Sequence, residues 1–505
     1  MGFHSYRRTR LTRALAVSLS FCLCLLGVLA PKEASGKQAP TAALAPKGHE
    51  VAPYEAYYGI YVGGQKVGWM RSSYEIKPMP TLSYRLEAQV RGMGRTSPVT
   101  VEEVRTFDPT DHRLQSVSFS QRAEAGQVQV VAKRQGDKLA CTTTAGGAQH
   151  KVTVAADETL EDALALLALV SAQNGQAPKV GLERTVKHFD PQSQSMSPVH
   201  MRIDAVREIL VAGVATPMFT ITTTYPDMGV KEESTVDGSG QLIKTHMGGF
   251  FEAKLEPKDV AQKLDMVQDV LMQAVVKAPK PLANPEALER LTLTMTGFDD
   301  APPPTSGRQR VERTDKGWRL ILRKDAPFGA APYPESRTKA EPPEVAEALQ
   351  PTAFVQSTAP EIVAAARQAV GKSKTMAEAI LGLVGFVQKH LRAEYVPAFS
   401  NALEALHTGR GDCTEFSVLF VALARAANIP ARVAVGVAYW PPGAGFGWHA
   451  WAEIYSGGRW VSVDPTWAQP ISDVTHLKFA EGGPQEQARV VMLLGRLKIQ
   501  EMNVP

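Results

Sequence analysis

The sequence predicts an α+β chain in which mostly antiparallel β domains precede a C-terminal domain of helices followed by sheet. Three observations carry this reading. From Tyr57 to about Lys254 the chain is a succession of short alternating runs, the period of strands with one buried face. Seven prolines between Pro327 and Pro360 interrupt regular structure and mark a boundary. Beyond Pro360 the apolar period turns helical and then returns to alternation.

The first elements are Tyr57 to Val62 and Gln65 to Ser72, joined at Gly63-Gly64 as a hairpin. Similar runs recur at 82–90, 99–106, 114–120, 128–134, 201–211 and 218–224, and one apolar helix at about 158–171 interrupts them. The region 54–257 therefore reads as a large β domain around a buried helix. Residues 258–277 have amphipathic helical spacing and predict a connector, followed by a small β-unit with strands at 291–296, 308–313 and 317–323. Residues 327–359 are the Pro-rich linker.

In the last domain, 360–505, Pro360 suits the first turn of a helix that ends near Gly371. Thr375 and Glu378 have capping-box spacing for a second helix to about Leu391, and Asp412 and Glu415 signal a third that begins at Cys413. Strands at 431–439, 449–455 and 459–463 follow, with Ser456-Gly457-Gly458 as a hairpin turn.

The N-terminus has the form of a secretory signal. Arg7, Arg8, Arg10 and Arg13 precede the apolar run 14–30, and Ala34-Ser35-Gly36 supplies small residues for cleavage near Gly36. Residues 37–53 then form a flexible leader. The first 36 residues hold five of the 55 basic and one of the 51 acidic residues, so the remainder is balanced at 50 of each. A mature chain without a basic excess lacks the charge that supplies non-specific nucleic-acid affinity, and nucleic acid is excluded as a partner. Two cysteines remain, Cys141 and Cys413, too few for a disulfide framework in an exported chain. Cys141 reads as a strand residue without a catalytic role.

Cys413 lies in Gly409-Arg410-Gly411-Asp412-Cys413-Thr414-Glu415-Phe416, which places a thiol in the first turn of an apolar helix. Unpaired N–H groups and the helix dipole there favour a thiolate and can bind a developing oxyanion. A cysteine nucleophile needs an imidazole to accept and return its proton, and His449 opens a strand in the same domain. The imidazole needs a carboxylate to fix its tautomer, and Asp464 follows the next strand in Val463-Asp464-Pro465-Thr466-Trp467. A metal site on Cys413, His449 and His407 would use ligand-type residues, but their gaps follow no usual zinc spacing. No cofactor and no metal is expected. Trp440, Trp448, Trp451, Trp460 and Trp467 read as core and cleft walls.

Three strings, GRGDCTEFSVLFVALARAANIPARVAVG at 409–436, WHAWAEIY at 448–455 and RWVSVDPTW at 459–467, resemble the transglutaminase-like superfamily, a papain-related group with Cys, His and Asp in that chain order. The resemblance covers about residues 360–480 and is to the bacterial exported branch. It implies an α+β domain with the cysteine helix on an antiparallel sheet. It also implies Cys413 as nucleophile, His449 as general base and acid, and Asp464 as orienting residue. A second oxyanion donor is not singled out; Gln388 and Tyr395 are the candidates. No EF-hand-like loop accompanies the motifs, so the calcium dependence of animal transglutaminases does not transfer.

The expected function is an exported, periplasmic or secreted thiol enzyme acting on peptide or carboxamide bonds through a thioester, with a protein or peptide substrate. A cell-envelope component is a candidate partner, and no transmembrane domain is expected in the mature chain. The alternative is a non-catalytic envelope binding or assembly protein on the same scaffold. A third reading keeps the enzyme and makes 54–254 the selector that recruits a lipid or protein.

Overall fold

The computed structural model describes residues 52–504 apart from 93–94, 124–125, 146–147, 156, 172–176, 212–213, 227–229, 249–250, 265–274, 299–301, 336–341, 353, 395–400, 484–489, 491–492 and 494. The expected signal at 1–36 and nearly all of the leader at 37–53 lie outside the described residues. Those residues form two compact units, one built from 52–144 and 149–270, the other from 271–504.

The first unit is a 14-stranded antiparallel sheet made of two meanders. They meet where the first strand, Tyr54–Val62, pairs with the last, Phe251–Leu255. Between the meanders lie two short helices, Leu160–Ala163 and Ala165–Val170, so the expected single helix is divided at Leu164. Leu160, Ala163 and Leu164 are buried with Tyr54, Tyr74, Tyr84, Phe107 and Phe189 in one core cluster. Arg105, with no exposed surface, is held there by both carboxylate oxygens of Glu158 at 2.9 and 2.8 Å and by the Phe189 carbonyl at 2.8 Å. Losing one partner of such a buried pair strands the other charge, which typically costs about 3–5 kcal/mol. Cys141 belongs to the same core on strand Lys138–Ala145, where burial pushes its thiol up to about 11.

The second unit is α+β. Helices Pro360–Val370, Met376–His390, Ala402–Thr408 and Cys413–Ala426 pack with a five-stranded sheet. Its path runs Val276–Lys277, Gly445–Ser456, Ala431–Trp440, Leu477–Glu481, and Arg459–Val463 pairs off Gly445–Ser456. The turn between the last pair has Gly457 at φ 59° and Gly458 at φ 77°, the left-handed pair that a two-residue hairpin requires. The small β-unit has the three expected strands, here Arg290–Thr296, Gln309–Thr314 and Gly317–Arg323, and gains a fourth, Lys498–Asn503, from the far end of the chain.

The connector helix expected over 258–277 is corrected at its far end: among the described residues Lys258–Ala261 is one helical turn, while Val276–Lys277 is a strand paired with Gly445 and Phe446; residues 265–274 lie outside the described residues. Buried Val275 and Val276 satisfy the sheet edge, and that pairing overrides their helical spacing. Among the described residues no helix is long and apolar enough to cross a membrane.

Candidate active site

The glycine-rich string before Cys413 is a compact construction. Gly409 ends helix Ala402–Thr408 in the left-handed region, at φ 61°, a position that favours glycine. Arg410–Gly411 then forms a two-residue parallel bridge with Arg392–Ala393. A Cβ on Gly411 would lie 2.5 Å from the Glu415 Cβ, so this residue must be small for the following cap to close. Asp412 caps the helix: its Oδ1 accepts from the Thr414 N–H at 2.8 Å, and its own N–H donates to Glu415 Oε2 at 3.0 Å. Cys413 is thereby the first residue of a 14-residue helix, 6 % exposed, and neither Cys413 nor Cys141 is in a disulfide. Helix Cys413–Ala426 packs on strand Gly445–Ser456, which carries His449.

His449 and Asp464 meet. His449 Nε2 lies 2.9 Å from Asp464 Oδ2, both residues are buried, and the Trp467 indole stacks on the imidazole at 4.3 Å between centroids. Asp464 Oδ1 accepts from the backbone N–H groups of Thr466 at 2.7 Å and Trp467 at 3.2 Å. Burial alone would raise the Asp464 carboxyl. The charges and hydrogen bonds of His449 and His476 outweigh it and hold the group well below the carboxylate range.

His476 is the residue that sequence reasoning missed. Its Nε2 lies 3.2 Å from Asp464 Oδ2, and its Nδ1 lies 3.2 Å from both Oδ1 and the backbone carbonyl of Asp473. Burial would lower this imidazole, but Asp473 and Asp464 raise it to about 9. Asp473 is in turn fixed by the Thr475 N–H and hydroxyl, at 2.8 and 2.6 Å, and by the Gln469 amide at 3.0 Å. The one signal in the sequence was an Asp and a His three residues apart just beyond the Asp464 motif, in a stretch that shows neither strand alternation nor a helical apolar face.

The same loop is clamped from the small β-unit. Arg308 donates to the carbonyls of Ser472 and Asp473, and the Gln309 amide exchanges two hydrogen bonds with the Lys478 backbone, at 2.7 and 3.0 Å. Gln388, a candidate oxyanion donor, is a correction: its Nε2 donates to the carbonyls of Pro465 and Thr466, so it braces the Asp464 turn. Tyr395 lies outside the described residues. His407 is exposed on its helix, and the cluster of ligand-type atoms found among the described residues is His449, Asp464 and His476, within 4.8 Å of one another. Its nitrogens and Oδ2 are already joined by hydrogen bonds, which a metal ion would have to displace. Trp460 stands apart, under the Arg432 guanidinium at 3.9 Å.

Residues 363–465 match the transglutaminase-like superfamily. An uncharacterized protein of Mycobacterium leprae (strain TN) is 31% identical over 130 residues, which are 24% of this chain and 45% of that protein, so the chain spans under half the length of this relative. Among solved structures, a candidate cysteine protease of Cytophaga hutchinsonii is 17% identical with a TM-score of 0.29, covering 44% of this chain and 86% of its own. The periplasmic domain of TgpA from Pseudomonas aeruginosa, bound to ethylmercury, is 18% identical with a TM-score of 0.26, covering 39% and 92%. A β-barrel-like protein of Brucella abortus is 12% identical with a TM-score of 0.33, covering 40% and 95%. TM-scores of this size leave the assignment to the sequence match. The α+β unit that carries Cys413, His449 and Asp464 therefore contains, over residues 363–465, a domain of the transglutaminase-like superfamily.

Proposed function

We propose that this chain is an exported thiol enzyme of peptidase, amidase or acyl-transfer type, with Cys413 as nucleophile, His449 as general base and acid, and Asp464 as the orienting carboxylate. The observation that supports this most is the 2.9 Å contact between His449 Nε2 and buried Asp464, in a domain where Cys413 opens a capped helix packed on the His449 strand. With Nε2 on the carboxylate, Nδ1 takes the thiol proton.

Attack forms a bond from Sγ to the substrate carbonyl carbon and moves the π pair onto oxygen. The helix N–H groups, that of Cys413 included, receive the oxyanion. Collapse restores the carbonyl and breaks the C–N bond, and the His449 proton passes to the leaving amine or ammonia. Water, giving a proton to His449, then adds to the thioester carbon; the C–S bond breaks, Sγ leaves and recovers the proton from His449, and the acid is released, whereas a substrate amine in the same place gives an amide and transfer.

Residues 1–36 would direct export, and the balanced mature charge fits a protein or peptide substrate in the cell envelope. The test is incubation of the mature full chain with a panel of peptide amides, read by intact mass. The reading expects an acyl adduct on Cys413 that is absent in Cys413→Ala and slow to form in His449→Ala. Turnover that survives Cys413→Ala would overturn it.

A further inference from the structure

We infer that His476, bridging Asp464 and Asp473 as an imidazolium, is a positioning residue that orients Asp464 toward His449 and supplies a fixed positive charge behind the pair. This rests on the reading of Cys413, His449 and Asp464 given above.

The argument is geometric. His476 has no exposed side-chain surface, and each ring nitrogen faces atoms that only accept: Nε2 faces Asp464 Oδ2, and Nδ1 faces Asp473 Oδ1 and the Asp473 carbonyl, all at 3.2 Å. A neutral imidazole carries one N–H, so one nitrogen would turn a lone pair toward an oxygen lone pair at a buried position. Only the doubly protonated ring donates on both sides. The direction in which the two carboxylates move the ring, to about 9, agrees.

The consequence for Asp464 follows from counting its partners. Oδ1 receives two backbone N–H groups and Oδ2 receives two imidazoles, so all four bonds hold the carboxylate in one orientation. Removal of His476 frees one side of Oδ2, the atom on which His449 depends. The titratable and charged groups around the ring are Asp464, Asp473 and His449, with the Arg308 guanidinium on the Ser472 and Asp473 carbonyls. Lys478, two residues on, is occupied by Glu453 and Glu481. The His449 and His476 rings are 5.4 Å apart, close enough for the positive charge to act on the Cys413–His449 couple.

The experiment measures iodoacetamide alkylation of Cys413 against pH in the full mature chain, in wild type, His476→Gln and Asp473→Asn. Loss of a nearby cation makes the thiolate harder to form, so the half-maximal pH moves up by about one unit in His476→Gln. It moves in the same direction by less in Asp473→Asn, which keeps the ring and weakens its charge. Histidine side-chain ¹⁵N spectra of wild type at pH 7.5 report the protonation state directly and are expected to show both His476 nitrogens protonated. A profile unchanged in His476→Gln, or an unprotonated His476 nitrogen at pH 7.5, would overturn the positioning role alone. A wild-type thiol that titrates as an ordinary cysteine would overturn the catalytic reading and this role with it.

Discussion

Gly436 is the cross-strand partner of His449, and a Cβ on it would overlap the carbonyl oxygen of Leu477. The neighbouring strand can approach because that position has no side chain, and the approach brings Leu477, and with it His476, alongside His449. The strand register shifts at the same place, between Val435 and Gly436. Gly436→Ala is therefore expected to push strand Leu477–Glu481 outward and to destabilise the fold by about 1–3 kcal/mol, the usual range for overpacking. Urea denaturation checks this. A variant as stable as wild type would mean that the strand yields without loss.

The buried imidazole predicts a loss of stability at alkaline pH. The His476 folded value, about 9, lies above the ordinary 6.5, so its contribution is fully present below about pH 6.5 and disappears as pH rises through 9. The shift corresponds to about 3 kcal/mol. Wild type should lose roughly that much between pH 6 and pH 10 relative to His476→Gln. Asp464 and Asp473 act at the other end: their folded values are depressed, so their contribution is present above about pH 4 and is lost as pH falls. Urea midpoints across the pH range, compared between the two proteins, measure the window; parallel curves would contradict it.

Glu404 carries the opposite sign. Burial first, and then the charge of Glu415, raise its carboxyl to about 7 against the backbone N–H of Asn401, and its Oε2 is buried without a hydrogen-bond partner. The penalty for ionising it is absent below about pH 4.5 and complete above about 7. Glu404→Gln is expected to equal wild type near pH 4 and to exceed it by about 2–3 kcal/mol at pH 8. Denaturant midpoints at the two pH values decide, and a variant that is less stable at pH 8 would refute the assignment.

What was legible in the sequence was local. Asp412 and Glu415 announce a helix start because a capping box is a four-residue event, and helix Cys413–Ala426 begins there. The Gly457-Gly458 turn fixes which strands are neighbours, and His449 and Asp464 sit on that hairpin and just past its end. What was not legible depends on distant chain. Residues 275–277 have helical spacing yet serve as a sheet edge because Gly445 and Phe446 are there to pair with them. Lys498–Asn503 completes a sheet whose other strands lie about two hundred residues earlier. Gln388 looked like a donor for the substrate because nothing in its helix shows that the Pro465 and Thr466 carbonyls stand opposite. His476 becomes informative only when a loop pinned by Arg308 and Gln309 turns it onto Asp464.

The measurement that bears most directly on the central claim is the pH dependence of Cys413 alkylation by iodoacetamide in the mature chain, beside His449→Ala and Asp464→Ala. A thiol activated by a helix N-terminus and an imidazole reacts well below the ordinary cysteine pKa of about 8.5. The account predicts that behaviour in wild type, its loss in His449→Ala and its weakening in Asp464→Ala. If all three proteins titrate together near 8.5, Cys413 is an ordinary thiol and the catalytic account is wrong.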